Sequence, residues 1–174
     1  GYIGSTLVPM LLAQGHWVRV VDSLLHGGWP LLGCASHPNF EFRAADLRDP
    51  EEAGRAVQGI EAVVHLAAIV GDPACARRPD LAREVNLDTT LRLFRSSEAQ
   101  GVARFMFAST CSNYGKMGDP SQFLSEESTL QPISVYAETK VAAEAALLDS
   151  SPNTHCAPTV LRFATLFGLS PRPR

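Results

Sequence analysis

Residues 1–22 read GYIGSTLVPMLLAQGHWVRVVD, and this stretch decides the fold. Gly1 and Gly4 form a glycine turn that leads directly into a helical apolar pattern over residues 3–14. The apolar run over residues 17–21 then has the length and β-branched content of a buried strand. A turn, a helix and a strand in this order are typical of one repeat of a parallel α/β sheet.

The same alternation continues along the rest of the chain. Apolar runs predict further strands over residues 40–44, 62–66, 105–108 and 158–163. Helical patterns lie between them, over residues 49–59, 81–100 and from residue 134 onward, and we predict that Asp49 caps the first of these helices and Ser134 the last. Since strands that alternate with helices form a parallel sheet with crossover helices, we predict an α/β fold with a doubly wound parallel sheet of the Rossmann type.

Composition and charge exclude several classes of function. The 174 residues are 45% hydrophobic and 19% charged, which is ordinary for a globular domain. A net charge of −3 without a basic cluster argues against nucleic-acid binding, and no apolar run is long enough to span a bilayer. The four cysteines are scattered without metal-ligand spacing, so we expect no metal site and a cytoplasmic protein with reduced thiols.

The glycine turn has the properties of a phosphate-binding site. In Gly1-Tyr2-Ile3-Gly4 the glycines let the backbone approach a pyrophosphate, and N–H groups at the helix start point toward it. Asp22 ends the next strand 18 residues after Gly4, where a carboxylate can accept hydrogen bonds from the ribose hydroxyls of NAD. No Arg lies within residues 23–28 to favour NADP, so we favour NAD. A turn residue at a strand end is an equal interpretation of Asp22.

The pattern is incomplete at both ends. A dinucleotide fold needs a strand before its glycine turn, and none precedes Gly1. The chain also stops soon after the strand over residues 158–163. We therefore interpret residues 1–174 as an NAD-binding Rossmann domain that is truncated at both ends, lacks its first strand and lacks a C-terminal substrate domain.

Three further positions are candidates for cofactor contacts, each with a structural alternative. Asp46 could accept from the adenine amino group, or it could cap the helix that begins near Pro50. The small residues in Leu66-Ala67-Ala68 would let a cofactor lie against the backbone, or they could reflect close packing. Asn86 could order water near the nicotinamide, or it could satisfy neighbouring backbone groups.

Tyr136 and Lys140 are the candidate acid–base pair. Their spacing of four residues on a helix places both side chains on one face, about one turn apart. A phenol is a poor base at neutral pH, and a neighbouring ammonium favours the phenolate. The pair is therefore suited to take a proton from a hydroxyl beside a hydride acceptor. On this spacing alone, an exposed Tyr and Lys on a helix surface is the favoured alternative.

Hydroxyl groups follow the strand over residues 105–108. Ser109 or Thr110 could hydrogen-bond the reacting oxygen of a substrate, because the carboxyl ends of parallel strands face the ligand crevice; a turn at the strand end is the alternative. Cys111 has no obvious His partner, so we interpret it as a packing or pocket-lining residue. His65 lies inside an apolar strand run, and we expect it in the core.

Taken together, these segments resemble the NAD-dependent epimerase/dehydratase family, the extended short-chain dehydrogenase/reductases, and most of all its UDP-glucose 4-epimerase-like members. The resemblance covers nearly the whole chain. It is carried by Gly1-Tyr2-Ile3-Gly4-Ser5, Val20-Val21-Asp22, Ala45-Asp46-Leu47, His65-Leu66-Ala67-Ala68, Val85-Asn86, Ser109-Thr110, Tyr114-Gly115, Tyr136 with Lys140, and Leu161-Arg162-Phe163.

The resemblance implies a role for each of these residues. Tyr136 would be the catalytic acid/base, Lys140 its partner and a ligand of the nicotinamide ribose, and Thr110 the residue that holds the sugar oxygen. Phe163 would lie near the nicotinamide. Together, motifs and resemblance imply a cofactor-binding set of Gly1, Tyr2, Ile3, Gly4, Asp22, Asp46, Leu47, Leu66, Ala67, Ala68, Asn86, Ala108, Ser109, Tyr136, Lys140 and Phe163.

Two departures from the family pattern bear on the chemistry. Family dehydratases carry an Asp-Glu pair where this chain has Cys111 and Ser112, and some family decarboxylases carry a Glu at the position of Ser112. Both chemistries are therefore disfavoured. The epimerase pattern often has an Asn soon after the position of Phe163, where this chain has Ala164 and Thr165, which leaves the substrate contact open.

We predict an NAD-dependent nucleotide-sugar epimerase that works by transient hydride transfer assisted by Tyr136, Lys140 and Thr110. A dehydratase or simple NAD-dependent oxidoreductase of the same family, and a non-catalytic NAD-sensing Rossmann protein, are the alternatives. The resemblance also implies a homodimer in which the helix over residues 81–100 and the helix of Tyr136 pair across a twofold axis. Alanines on the second helix would allow that close approach.

Overall fold

The structure, a computed structural model, describes residues 1–116, 123–150 and 154–172. Helices and strands alternate along the chain, as the sequence predicts. The strands are β1 (Val18–Asp22), β2 (Phe40–Ala44), β3 (Ala62–His65), β4 (Arg104–Thr110) and β5 (Ala157–Phe163). The α-helices are α1 (Gly4–Ala13), α2 (Pro50–Val57), α3 (Asp72–Arg77), α4 (Pro79–Arg83), α5 (Thr89–Ala99) and α6 (Val135–Ser150).

The strands form two parallel groups. β1 pairs with β2, so that Asp22 at the end of β1 lies opposite Ala44. β3, β4 and β5 form a second group in that order, in which Thr110 at the end of β4 lies opposite Phe163. These parallel pairings confirm the predicted α/β fold class. Within the described residues β1 and β3 each have one unpaired edge, and the strand expected before Gly1 stays a prediction.

The helix predicted over residues 81–100 is divided in the structure. α4 ends at Arg83, a π-helical turn occupies Glu84–Asp88, and α5 begins at Thr89. The N–H of Thr89 donates to the carbonyl of Glu84, five residues earlier, which is the bond that defines a π turn. The prediction of one uninterrupted helix is therefore wrong, because an apolar period does not reveal one inserted residue.

Helix α3 is absent from the sequence-based assignment. It has only 6 residues, too few to show an apolar period, although Asp72 and the proline after it are a helix-start signal. The polar stretch over residues 115–133 contains no helix or strand in its described part, and residues 117–122 lie outside the described structure.

Two helix starts agree with the sequence. Asp49 accepts the N–H of Glu51 over 2.8 Å at the start of α2. At the start of α6, Ser134 accepts the N–H of Ala137 over 3.2 Å and donates its hydroxyl to Asp72 over 2.7 Å. The second cap ties the start of the helix that carries Tyr136 to the start of α3.

The main hydrophobic core lies between the three-stranded group and helices α2, α5 and α6. Phe105 and Phe107 of β4 are fully buried, and Phe94 of α5 meets Phe105 edge-on with 5.2 Å between ring centroids. A smaller core against β1 and β2 is formed by Val8, Leu12 and Cys34. The main core therefore fixes β4 and α6, which carry the candidate catalytic residues, relative to each other.

Candidate functional site

Lys140 is a buried amine on α6. Only 3% of its surface is exposed, and Nζ donates to the carbonyl of Ala108 on β4 over 2.8 Å. The ammonium also lies 4.5 Å from the ring centroid of Phe107. Burial lowers the pKa of Lys140 to about 8, and the charges of Cys75 and Glu144 act in the opposite direction.

Tyr136 lies one helical turn before Lys140 on α6, as the spacing predicts. Its side chain is half-buried, and its carbonyl accepts the hydroxyl of Thr139 over 2.8 Å. The alternative of an exposed Tyr and Lys on a helix surface is wrong, because Lys140 is almost completely buried.

Thr110 ends β4 at the carboxyl edge of the three-stranded group. Its hydroxyl oxygen accepts the N–H of Ser112 over 3.1 Å, and a hydroxyl so engaged still has one O–H to donate. Ala108, whose carbonyl accepts from Lys140, lies two residues before Thr110 on β4. The ammonium of Lys140 therefore lies near the strand end that carries this hydroxyl.

The two residues beside Thr110 have different environments. Ser109 donates to Oε1 of Glu144 and accepts from Nδ2 of Asn113, so its hydroxyl is engaged in a buried network, and its contact with a cofactor or substrate stays a prediction. Cys111 is exposed at the start of a 3₁₀ turn, so its interpretation as a packing residue is wrong.

The glycine turn packs beside the end of β3. A Cβ at Gly4 would lie 3.6 Å from Cδ1 of Leu66, and Ala67 next to it is exposed. The hydroxyl of Tyr2 donates to the carbonyl of Gly168 over 2.7 Å, and Oγ of Ser170 donates to the carbonyl of Tyr2 over 2.9 Å. The turn, the residues after β3 and the segment after β5 therefore lie together.

The residues at this turn fit a dinucleotide pyrophosphate. Ile3 is the N-cap residue of α1, and the N–H groups of Ser5 and Thr6 donate to the carbonyls of Gly1 and Ile3 over 3.0 Å. Glycine at positions 1 and 4 keeps side-chain atoms away from this helix start, and the positive end of the helix dipole favours a phosphate there.

Asp22 and Asp46 lie in the β1–β2 half, apart from the Lys140 region. Oδ1 of Asp22 accepts the N–H of Leu24 over 2.7 Å, as the turn interpretation predicts, and the carboxylate has further acceptor sites for a ribose.

Asp46 is held by Arg48, with 2.7 Å from Nη2 to Oδ2, and these hydrogen bonds lower the pKa of Asp46. The capping alternative for Asp46 is wrong, because Asp49 caps α2. Leu47 packs against the main core.

Asn86 is fully buried and satisfies backbone groups, the second of the two sequence alternatives. Oδ1 accepts the N–H of Ile69 over 2.8 Å, and Nδ2 donates to the Ile69 carbonyl over 3.0 Å and to the Thr139 hydroxyl over 3.4 Å. The amide of Asn86 therefore joins the loop after β3 to α6, and its predicted role near the cofactor stays a prediction.

His65 is the core residue that the sequence predicts. Only 3% of its surface is exposed, and Nε2 lies 3.0 Å from the hydroxyl of Thr90. Burial, and to a lesser extent the charge of Lys140, lower the pKa of His65 to about 3. The imidazole is therefore neutral at physiological pH and does not serve as a proton carrier.

The sequence patterns did not predict a polar network beside this site, although they made Ser109 a candidate for ligand contact. Its members are Ser109, Asn113, Tyr114, Glu144 and Arg162. The spacing of four residues from Lys140 to Glu144 on α6 was an available signal, since it places both on one helix face. A lone Glu on a helix is, however, usually a solvated residue.

Neither a membrane helix nor a metal cluster occurs in the described ranges. None of the helices there combines the length and apolar character needed to cross a bilayer. No group of three or more His, Cys, Asp and Glu residues in this part of the chain could hold a metal ion.

The fold and the site together define a class of protein: a parallel α/β dinucleotide-binding domain with a Tyr–Lys pair on the helix that packs on β4. The chain matches the model of the NAD dependent epimerase/dehydratase family over residues 1–174, and it belongs to that family. The family is one of NAD-dependent enzymes.

Characterised relatives include several activities. The chain is 35% identical to a UDP-glucose 4-epimerase of Mycolicibacterium smegmatis over 83% of its length and 46% of the relative's. It is 34% identical to a 3β-hydroxysteroid dehydrogenase/Δ5→4-isomerase of Mycobacterium tuberculosis over 83% of its length and 39% of the relative's. The crystal structure of Thermus thermophilus UDP-glucose 4-epimerase with NAD matches with a TM-score of 0.83 and 32% identity, over 93% of this chain and 51% of that one. The chain thus spans about half the length of its relatives or less.

Proposed function

We propose that this chain is the NAD-binding part of a nucleotide-sugar epimerase in which Tyr136, Lys140 and Thr110 carry catalysis. One observation carries the proposal: the buried ammonium of Lys140 lies 2.8 Å from the Ala108 carbonyl near the end of β4 and one turn from Tyr136. An amine with its pKa lowered to about 8 still carries its proton at neutral pH, and it can favour the phenolate of a nearby Tyr.

We expect the glycine turn with Asp22 and the Lys140 region to bind different portions of the cofactor. We expect the turn of Gly1 and Gly4 to hold the pyrophosphate, with Asp22 at the ribose of the adenosine half. Lys140 would hold the nicotinamide ribose, with Phe163 opposite Thr110 near the ring. NAD, when bound, supplies the hydride acceptor and the hydride donor.

The chain's own residues would move the proton. Tyr136, as phenolate, accepts the proton of the sugar hydroxyl that is being oxidised, while Thr110 donates a hydrogen bond to the same oxygen. The keto sugar then presents its other face, and Tyr136 returns the proton to the oxygen. Lys140 keeps the phenol acidic throughout, since its ammonium stabilises the phenolate.

The relatives support an epimerase over the other chemistries of the family. A UDP-glucose 4-epimerase is among the relatives in sequence, and another is among those in structure. The Asp-Glu pair that family dehydratases carry is replaced in this chain by Cys111 and Ser112, which disfavours dehydration. A simple NAD-dependent oxidoreductase is the second candidate, because the mycobacterial steroid enzyme is named as a dehydrogenase.

We also propose a cytoplasmic homodimer in which residues 1–174 form one domain of a longer protein. The relatives' greater length supports the longer protein. The exposed alanines Ala142 and Ala145 on α6 support close helix approach between two copies. Sedimentation of the complete protein at micromolar concentration tests the dimer, and a monomer would refute it.

The function is tested by adding UDP-glucose to the complete protein loaded with NAD. We expect NMR to show that the configuration at one carbon of the sugar is inverted. The bound cofactor should be reduced transiently, and no net NADH should be released. Stoichiometric NADH release with an alcohol or steroid substrate would favour the oxidoreductase. No change in the redox state of bound NAD with a panel of nucleotide sugars would refute the epimerase.

A further inference from the structure

Glu144 lies one turn after Lys140 on α6, with only 1% of its surface exposed. Its carboxylate accepts from Nε and Nη2 of Arg162 over 2.9 and 2.8 Å, from Nδ2 of Asn113 over 2.7 Å and from the hydroxyl of Ser109. A buried carboxylate is costly unless it is paired and fully hydrogen-bonded. The carboxylate of Glu144 is paired with Arg162 and also hydrogen-bonded by Asn113 and Ser109, so its position depends on all of these donors.

The donors belong to different elements that meet at the site. Ser109 precedes Thr110 on β4, Asn113 lies in the 3₁₀ turn after it, and Arg162 precedes Phe163 on β5. Arg162 also donates to the hydroxyl of Tyr114 over 3.1 Å and to the carbonyl of Glu126 over 3.0 Å. A single carboxylate on α6 therefore connects the helix to the ends of β4 and β5.

Asn113 links the carboxylate of Glu144 to the turn after β4. Its Nδ2 donates to both Glu144 and Ser109, while its Oδ1 is buried with no hydrogen-bond partner in the described part of the chain. Among the described residues the side-chain amide is therefore held through its nitrogen, by Glu144 and Ser109.

We propose that Glu144 is a positioning residue of the catalytic centre, which holds Tyr136 and Lys140 on α6 in register with Thr110 on β4. This inference rests on the proposed function, because it assumes that those three residues act together. Glu144 itself touches neither substrate nor cofactor in this account.

The charge of Glu144 affects the pKa of Lys140, and a role of Glu144 in packing alone would not have this effect. The titratable groups around Lys140 are Cys75 on α3, neutral His65 on β3, and Tyr136 and Glu144 on α6. Of these, Cys75 and Glu144 raise the pKa of Lys140 against burial. Glu144→Gln removes that charge and leaves the Arg162 guanidinium uncompensated, so both changes lower the pKa of Lys140.

The experiment compares Glu144→Gln, Glu144→Asp and Glu138→Gln in the complete protein. Glu138 is the matched control, because it lies on the same helix but is exposed and pairs with Arg83 over 3.4 Å. For Glu144→Gln we expect kcat to fall about 10- to 100-fold with little change in KM, as for a small misplacement of catalytic groups. In Glu144→Gln the fall of kcat at high pH, which reports the loss of the Lys140 proton, should begin at a lower pH than in wild type. In Glu144→Asp this fall should occur at the wild-type pH, while kcat itself stays low. Glu138→Gln should match wild type in all respects.

A second measurement separates this inference from the proposed function. Lys140 is titrated by NMR in NAD-free protein labelled at lysine, which needs no turnover. A lower Lys140 pKa in Glu144→Gln than in wild type supports the electrostatic part, even if wild type proves inactive on nucleotide sugars. An unchanged Lys140 titration together with an unshifted fall of kcat at high pH would overturn the proposal. If Glu144→Gln does not fold, Glu144→Asp decides: wild-type kcat in that variant overturns the positioning role.

Discussion

The two halves of this molecule differ in how they are held together. Around β3, β4 and β5 the aromatic side chains of β4 are completely buried, and buried polar groups such as Glu144 are hydrogen-bonded to one another. Around β1 and β2 every strand residue is half-buried or exposed, and only a small cluster with Val8 and Leu12 packs beneath them. The first half therefore has a dense core around β4, whereas the second half has only a thin layer of packed side chains in the described residues.

This difference suits the two halves to different tasks, catalysis in the first and binding of the adenosine part of the cofactor in the second. Proton transfer needs groups held at fixed distances in a region that excludes water, and the proposed catalytic residues lie on the elements of the dense half. The adenosine of a dinucleotide needs little more than an accessible carboxylate, and Asp22 lies in the thin half. The following predictions test that assignment, from the largest expected effect to the smallest.

Tyr136→Phe should separate chemistry from structure in the dense half. It removes only a hydroxyl, so the thermal midpoint should change little, whereas loss of a positioned acid/base should lower turnover by about 10²–10⁴. Turnover of UDP-glucose and thermal melts of the complete protein measure the two effects. Cys111→Ala, which alters an exposed thiol, is the control and should match wild type. Near-wild-type turnover of Tyr136→Phe would remove the proposed mechanism.

Phe105→Ala and Phe40→Ala compare the two cores directly. Phe105 is fully buried against Phe94, so its truncation should cost about 3–5 kcal/mol of unfolding free energy. Phe40 at the start of β2 is half-buried, and the same change there should cost roughly half as much. Urea denaturation measures both values. Equal costs would show that the halves are equally well packed.

Lys140→Met should stabilise the fold while it abolishes activity. The pKa of Lys140 is lowered from 10.5 to about 8, so at pH 7 the folded state carries a buried charge that the unfolded chain keeps in water. Removing it should raise stability by about 2 kcal/mol after the lost bond to Ala108 is subtracted.

The pH dependence checks the cause of that stabilisation. Between pH 8 and 10.5 the unfolded chain binds the lysine proton and the folded chain does not, so wild-type stability should rise with pH through this window. Lys140→Met should lack this rise. Denaturation curves at pH 7, 9 and 10 measure it, and a Lys140→Met variant less stable than wild type at pH 7 would contradict the argument.

Asp22→Asn should alter cofactor choice without altering chemistry. Loss of the carboxylate removes both its hydrogen bonds to the ribose and its repulsion of the NADP phosphate, so the preference for NAD should narrow by roughly tenfold. Titration of both cofactors measures the ratio, and turnover at saturating NAD should remain near wild type. An unchanged ratio would favour the turn role of Asp22, seen in its bond to Leu24.

Local sequence signals predicted much of the fold correctly. The strand over Phe40–Ala44, the Asp49 cap of α2 and the Ser134 cap of α6 agree with the structure, because each depends on residues within a few positions. The short helix α3 has a local start signal at Asp72 but is too short to show an apolar period. The π turn at Glu84–Asp88 has no local signal, because it is stabilised by contacts from elsewhere, such as Asn86 with Ile69.

The sequence by itself determined the parallel α/β class, the family, the glycine turn and the Tyr136–Lys140 pair, because helical and strand periods are local properties of the chain. Only the tertiary structure decided that Lys140 is buried at the Ala108 carbonyl, that Ser109 donates to Glu144, and that Asn86 joins the loop after β3 to α6. Burial and hydrogen-bond partners depend on which distant segments meet, and spacing along one segment does not encode them.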